Sequence, residues 1–329
     1  MRNKIAGTIY GMALGDAMGM PPELWSRRKL KDFFDEIKGF LDGPKENNVA
    51  CNYTKGQYTD DTAQALVILD SLVDTNFIPQ PKDIATKLLA WADKENAFEN
   101  NILGPTSKAA LSSFREGKDA SSITNEAQSN GSAMRIAPIG CLFKSSDKKE
   151  LASFVYNVTR ITHSSDVTIG GAAMIAMAVS SAMENDDFEK IMEDVYEIEE
   201  ISTKLGYETI NPSLKARTKL GVELAKKYKG NDEKFLESIY SLIGAGVIIS
   251  ESVPAALSIA YYAKDPNKCS ILCANLGGDT DTIGAMATAI CGAYSGIGKI
   301  KEEYIKILDN NNDVSLQKYV DILSQRRDK

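Results

Sequence analysis

Two acidic clusters combine residue types and spacings that suit chemistry. Tyr58-Thr59-Asp60-Asp61-Thr62 and Gly277-Gly278-Asp279-Thr280-Asp281-Thr282 each crowd carboxylates and hydroxyls into a few residues just before a helical apolar run. Either cluster alone reads as a helix start. Thr59 is a good N-cap residue, and carboxylates in a first turn favour the helix dipole. Together they offer more oxygens than capping requires. Asp279 and Asp281 flank a single residue, so a tight turn can aim both at one point, and Gly277-Gly278 permits backbone angles other residues resist. Carboxylates and hydroxyls form the ligand set of hard cations such as Mg²⁺ and Mn²⁺. If the clusters meet in the fold, four carboxylates share a small volume and raise each other's pKa unless cations neutralise them. The expectation is a centre for two Mg²⁺ (or Mn²⁺) ions, about 3.5–4 Å apart, able to activate a water.

Other segments could complete such a site. Gly15-Asp16-Ala17-Met18-Gly19 is followed by Glu23, beside Pro21-Pro22. Glu23 is either an exposed loop carboxylate or a base beside the metals. Asp16 is either a helix-terminal residue or an outer carboxylate of the centre. Asn130-Gly131-Ser132-Ala133-Met134-Arg135 is a small-residue turn entering a helix, which suits phosphate, although an ordinary turn would look the same. It lacks the Gly-Lys-Ser/Thr ending of a Walker loop. Leu103-Gly104-Pro105-Thr106-Ser107, with Gly104 and Thr106, is a weaker candidate of the same kind. The single histidine, His163, reads more readily as structural than catalytic, and it excludes a multi-histidine metal site.

These residues need a scaffold, and the chain supplies a helical one. Leu66, Leu69, Leu72 and Val73 form one stripe after Thr59. Ile84, Leu88 and Trp91 form another, as do Phe154, Val155 and Val158, and Val253, Leu257 and Tyr261. Val247-Ile248-Ile249 is strand-like, but its neighbours favour a helix. Breakers fall at Pro21-Pro22 and in the polar stretches 39–52 and 112–130; 186–234 reads as surface helices and turns. The reading is an all-α protein, a compact multi-helix bundle forming a single domain over residues 1–329.

Bulk composition narrows the partners. With 38 Lys and Arg against 45 Asp and Glu, the net charge is −7, which argues against a nucleic-acid-coating surface. The uncharged stretches 167–183 and 283–298 fall slightly short of the roughly 20 residues of a membrane span. They are rich in Ala and Gly, so they read as closely packed core helices. The apolar run from Ile5 to Leu14 superficially resembles a signal peptide, but Gly7, Thr8, Gly11 and Asp16 favour a first helix of the mature protein. Cys51, Cys141, Cys269, Cys273 and Cys291 match no zinc pattern and read as buried free thiols, which imply a reducing, cytoplasmic setting.

In this order, the motifs resemble the ADP-ribosylglycohydrolase family, roughly from Lys4 to Ile297 and best over residues 273–298. The chain is similar to a bacterial subgroup marked by Met20-Pro21-Pro22-Glu23-Leu24-Trp25 and Leu103-Gly104-Pro105-Thr106-Ser107. The resemblance implies an orthogonal all-α bundle with a binuclear Mg²⁺ or Mn²⁺ centre. It places metal ligands on Thr59, Asp60, Asp61, Asp279, Asp281 and Thr282. Glu23 takes the place of a glutamate after Gly-Asp-x-x-Gly, the phosphate turn falls on Asn130, Gly131, Ser132 and Met134, and a substrate-contacting histidine on His163. Glu23, Asp60 and Asp279 are the implied catalytic carboxylates. The implied reaction is hydrolysis of an ADP-ribosyl N- or O-glycosidic bond, on a modified protein or a small ribosyl compound. A nucleoside hydrolase and a non-catalytic ADP-ribose-binding protein are the alternatives.

Overall fold

A computed structural model describes residues 1–100 and 102–327, and every regular element longer than a single β-bridge among them is helical. In chain order the α-helices are α1 (Arg2–Gly19), α2 (Arg27–Phe34), α3 (Asp60–Asp74), α4 (Pro81–Lys94), α5 (Pro105–Arg115), α6 (Ser121–Thr124), α7 (Ala137–Gly140) and α8 (Lys148–Thr159). They continue as α9 (Asp166–Glu184), α10 (Phe188–Ser202), α11 (Leu214–Lys227), α12 (Asp232–Ser238), α13 (Ile249–Ala263), α14 (Pro266–Ala274), α15 (Thr280–Ser295), α16 (Glu302–Asn311) and α17 (Leu316–Arg327). The all-α expectation holds.

Glycine spacing sets the central packing. Gly7, Gly11, Gly15 and Gly19 recur every fourth residue and so line one face of α1. That face meets α15 backbone to backbone: a Cβ on Gly7 would lie 2.1 Å from the Gly292 carbonyl oxygen, and one on Gly15 only 1.9 Å from that of Gly284. The reverse holds for Gly284 and Gly292, which face the Gly15 and Gly7 carbonyls. α9 packs against α15 and α13 and is flanked by α7, α8 and α10. It is long and apolar enough to cross a bilayer, yet 94% of its apolar window is buried inside the protein. It is a core helix.

Some segments exceed their sequence reading. The charged stretch 186–234 contains α10, whose Phe188, Ile191, Val195 and Ile198 are core residues. α5 extends into the stretch read as a polar connection, and α6 follows it. The strand-like triplet divides: Ile248 forms an isolated bridge with Ser129, and Ile249 opens α13. Pro254 inside α13 cannot donate to the Ser250 carbonyl, and the Arg217 guanidinium does so instead at 2.9 Å.

Candidate metal centre

The first acidic turn is held by a helix from elsewhere in the chain. Asp16, fully buried on α1, accepts from the Thr59 N–H at 2.9 Å through Oδ1. Its Oδ2 accepts from the Thr62 N–H at 3.0 Å and the Thr62 hydroxyl at 2.5 Å. A charge from α1 thus sits at the N-terminus of α3, where the helix dipole favours it. Thr59 is the N-cap residue and takes the Asp61 N–H.

The second turn depends on two positive backbone angles. Gly277 and Gly278 both have φ +85°, and a Cβ on Gly278 would lie 2.1 Å from the Ala245 carbonyl oxygen. Gly278 exchanges two 2.7 Å backbone hydrogen bonds with Leu24 and Trp25, directly after Glu23. The Asp279 N–H donates to Ala245 at 2.7 Å, and the Thr280 hydroxyl to the Gly19 carbonyl at 2.7 Å, on the end of α1. Leu24 adopts φ +59°, unusual for a branched side chain, and this kink fixes the segment that presents Glu23. Asn47, from the loop between Glu23 and the first turn, donates to the Glu23 carbonyl at 2.9 Å and to that of Pro21 at 3.1 Å.

The two turns meet. The Thr59 hydroxyl lies 3.5 Å from Asp281 Oδ2, across 222 residues of sequence. Carboxylate oxygens of Asp16, Asp61 and Asp281 lie within 4.8 Å of one another, as do those of Glu23, Asp279 and Asp281, so Asp281 belongs to both groups. Asp61 Oδ1 and Asp281 Oδ1 are buried with no hydrogen-bond partner. An unpaired buried carboxylate oxygen is costly, and a hard divalent cation would satisfy it. The Thr282 side chain partly offsets the rise in the pKa of Asp61 and Asp279. Asp60 differs, since its Oδ2 accepts from the Gln64 amide at 2.7 Å.

Burial dominates the electrostatics. It raises Asp16 and Asp279 to about 6 and Asp60 to about 7. Asp61, Asp281 and Glu23 are pushed well above the carboxylate range by burial and then by neighbouring charges: Asp16 and Asp60 for Asp61, Glu23 and Asp61 for Asp281, Asp279 and Asp60 for Glu23. In the metal-free protein, carboxyls that ionise at about 3.8 when unfolded keep their protons to about 6 or 7 when folded. The folded state then binds more protons, so its stability is highest at low pH and falls as pH rises through that window. Thermal melts in chelator should show a lower melting temperature at about pH 8 than at about pH 5. Mn²⁺ should remove that fall, because ligated carboxylates stay ionised. A chelated protein that gains stability over this range would contradict the charge crowding.

The other candidate residues surround the centre unevenly. The Asn130 side-chain amide donates to Asp279 Oδ2 at 2.5 Å, so this turn is tied to the second acidic turn. Gly131 is buried against His163, and a Cβ there would lie 2.9 Å from His163 Cε1. Ser132 is buried and its hydroxyl donates to the Thr168 carbonyl, so its side chain is not free to meet a ligand. Met134 is buried. Gly104 is the exposed N-cap of α5, and Thr106, in the first turn, accepts from Ser129 at 3.0 Å. His163 is placed behind the turn. It is fully buried, its Nε2 lies 2.9 Å from the Ser129 hydroxyl and its Nδ1 2.9 Å from that of Thr162. It supports the turn from behind.

Sequence reasoning missed Tyr53, Gln64 and Arg135. Tyr53 is raised by burial and then by the charges of Asp60 and Glu23. With Asp60, Trp91, Ile102 and Tyr319 it lines a cleft of about 580 Å³ that opens beside the centre. Arg135 is buried and reaches Gln64. Only the end of the Asn130–Arg135 segment hinted at it, since a buried arginine has no sequence signature.

A family model described as ADP-ribosylglycohydrolase matches residues 1–329. The chain is 41% identical over 325 residues to an uncharacterized protein, YegU, of Escherichia coli (strain K12), covering 98% of this chain and 97% of that one. It is 27% identical over 329 residues to the ADP-ribosylhydrolase ARH3 of Gallus gallus, covering 89% and 85%. A solved structure described as an ADP-ribosylglycohydrolase-related protein complex superposes with a TM-score of 0.72 at 22% identity, covering 99% of this chain and 98% of that one, a likeness of fold. With a family match from end to end, the chain belongs to the ADP-ribosylglycohydrolase family.

Proposed function

We propose that the protein is a metal-dependent hydrolase that cleaves an ADP-ribosyl glycosidic bond. The observation that carries this reading is the convergence of the two acidic turns, with Asp61 Oδ1 and Asp281 Oδ1 buried and unpaired. Thr59, Asp60, Asp61, Asp279, Asp281 and Thr282 would hold two Mg²⁺ or Mn²⁺ ions. Bound there, such ions supply Lewis acidity toward ribose hydroxyls and a water.

The chain's own groups do the rest. A Glu23 carboxylate oxygen lies within 4.8 Å of oxygens of Asp279 and Asp281, half-buried at the edge of the centre, where it can orient a water and take its proton. Asp60 and Asp279 supply negative charge where the sugar becomes positive at its anomeric carbon. In the Asn130–Met134 turn the N–H groups of Asn130, Ala133 and Met134 are bonded to the Val247 and Asn130 carbonyls, so those of Gly131 and Ser132, with the start of α5 at Gly104 and Thr106, would bind the diphosphate. The cleft beside Asp60 and Tyr53 leaves room for the leaving group.

The test is a turnover screen on ADP-ribosyl-arginine, ADP-ribosyl-serine and free nucleosides with Mg²⁺ or Mn²⁺. Release of ADP-ribose from at least one linkage, lost in chelator, is the expected result. Undiminished turnover in chelator would overturn it, as would turnover of nucleosides alone.

A further inference from the structure

We propose that Arg135 is a positioning residue, joining the turn beside α5 to Asp60 through two arms of buried hydrogen bonds that both start at its guanidinium. On one arm its guanidinium donates to the Gln64 side-chain oxygen, and the Gln64 amide donates to Asp60 Oδ2 at 2.7 Å. On the other it donates to the Thr162 hydroxyl at 2.6 Å, which lies 2.9 Å from His163 Nδ1. His163 Nε2 lies 2.9 Å from the Ser129 hydroxyl, which lies 3.0 Å from that of Thr106. Gln64, Arg135, Thr162 and His163 are all buried.

Hydrogen-bond inventory fixes the direction. Ser129 donates to Thr106, so its one proton is spent and it accepts from His163 Nε2. In a neutral imidazole Nδ1 then accepts, and the Thr162 hydroxyl, which accepts from Arg135, gives it the proton at 2.9 Å in preference to the Thr159 carbonyl at 3.4 Å. Every hydroxyl is used once and every bond points away from Arg135. The scheme requires a neutral imidazole, and burial together with Arg135 holds His163 down at about 3. Arg135 itself falls to about 10 and stays charged. Its Nε has no partner, and its charge favours ionised Asp60. The two arms draw on one guanidinium in a low-dielectric interior, so a cation that changes the hold of Asp60 on Gln64 changes the hold of Arg135 on Thr162 and is felt at the imidazole.

The functional meaning of the two ends rests on the proposed metal and diphosphate sites. Because His163 is the only histidine, its ring resonances report the chain without ambiguity. The experiment is histidine-selective ¹⁵N NMR of the full chain, with calorimetry recording Mg²⁺ uptake on the same samples. The expected result is a neutral Nε2–H ring that does not titrate between about pH 5 and pH 8. Mg²⁺ should shift its resonances in wild type and in Thr162→Ser, which keeps the hydroxyl, but not in Thr162→Val. Gln64→Leu, acting on the opposite arm, should abolish the shift and weaken Mg²⁺ binding by about 10–100-fold. It reads the same quantity if Thr162→Val does not fold. A ring protonated on Nδ1 would overturn the relay, as would a Mg²⁺-induced shift that survives both interruptions. Wild-type protein that takes up no Mg²⁺ would sink the metal reading and the relay with it, whereas Mg²⁺ uptake with an unmoved ring sinks the relay alone.

Discussion

Asp281→Asn is expected to make the metal-free protein more stable and the enzyme inactive. Asp281 belongs to both carboxylate groups, and its Oδ1 is buried without a partner. Burial first, then Glu23, Asp61 and Asp279, drive its pKa well above the ordinary range. An amide of the same shape removes that charge, relieving the repulsion that cations would otherwise neutralise. In chelator at about pH 8 the variant should melt several degrees above wild type. Changing a partner of a metal ligand costs about 10–100-fold in affinity, so loss of a carboxylate shared by two groups should cost more than about 100-fold. Mn²⁺ at 100 times the wild-type dissociation constant stabilises wild type by about 2.7 kcal/mol and should leave the variant nearly unmoved. ADP-ribose release should fall to background. Thermal melts with and without Mn²⁺, beside the hydrolysis assay, check both halves. Wild-type stabilisation by Mn²⁺ in the variant would remove Asp281 from the centre.

That trade-off explains why the acidic turns are legible in the sequence. Carboxylates this dense are poor choices for a fold, so their presence reads as function. Gly277-Gly278 is legible for a related reason: both glycines take positive φ, and neither has room for a side chain. The helices follow from their apolar stripes. What periodicity cannot convey is partnership across long chain separations. Asp16 looks like a helix-terminal carboxylate, yet it caps a different helix, because α1 passes beside the start of α3. Asn130 looks like part of a ligand turn, and its amide is spent on Asp279. His163 sits in a run of Thr, Ser and Asp that suits a polar site, and only the fold shows it sealed behind Ser129. Gln64 occupies a position on α3 between the Asp60 carboxylate and an arginine from another segment, which no local pattern marks.

Gly15→Ala should show how far the centre depends on helix packing. Alanine is the better helix former by about 1 kcal/mol, so on an exposed face it would stabilise α1. Here its methyl would lie 1.9 Å from the Gly284 carbonyl oxygen, 2.3 Å from the carbonyl carbon and 2.7 Å from the Thr288 hydroxyl. Two of those atoms are backbone, so no side chain can rotate away and α1 and α15 must part. Overpacking of this kind costs typically 1–3 kcal/mol, and a backbone clash on both helices belongs at or above about 3 kcal/mol. Melting should fall by roughly 5–10 °C. Gly39→Ala, with nothing within 4 Å, is the matched control and should stay within about 0.5 kcal/mol of wild type. The loss should also reach the metal, because Asp16 follows Gly15 and Asp281 lies on the first turn of α15. Separating the helices pulls one carboxylate off the start of α3 and moves another out of both acidic groups. Mn²⁺ affinity should therefore fall even in the fraction that remains folded, by calorimetry below the melting transition. A variant that melts early yet binds Mn²⁺ as tightly as wild type would show that the acidic turns keep their geometry without the glycine seam.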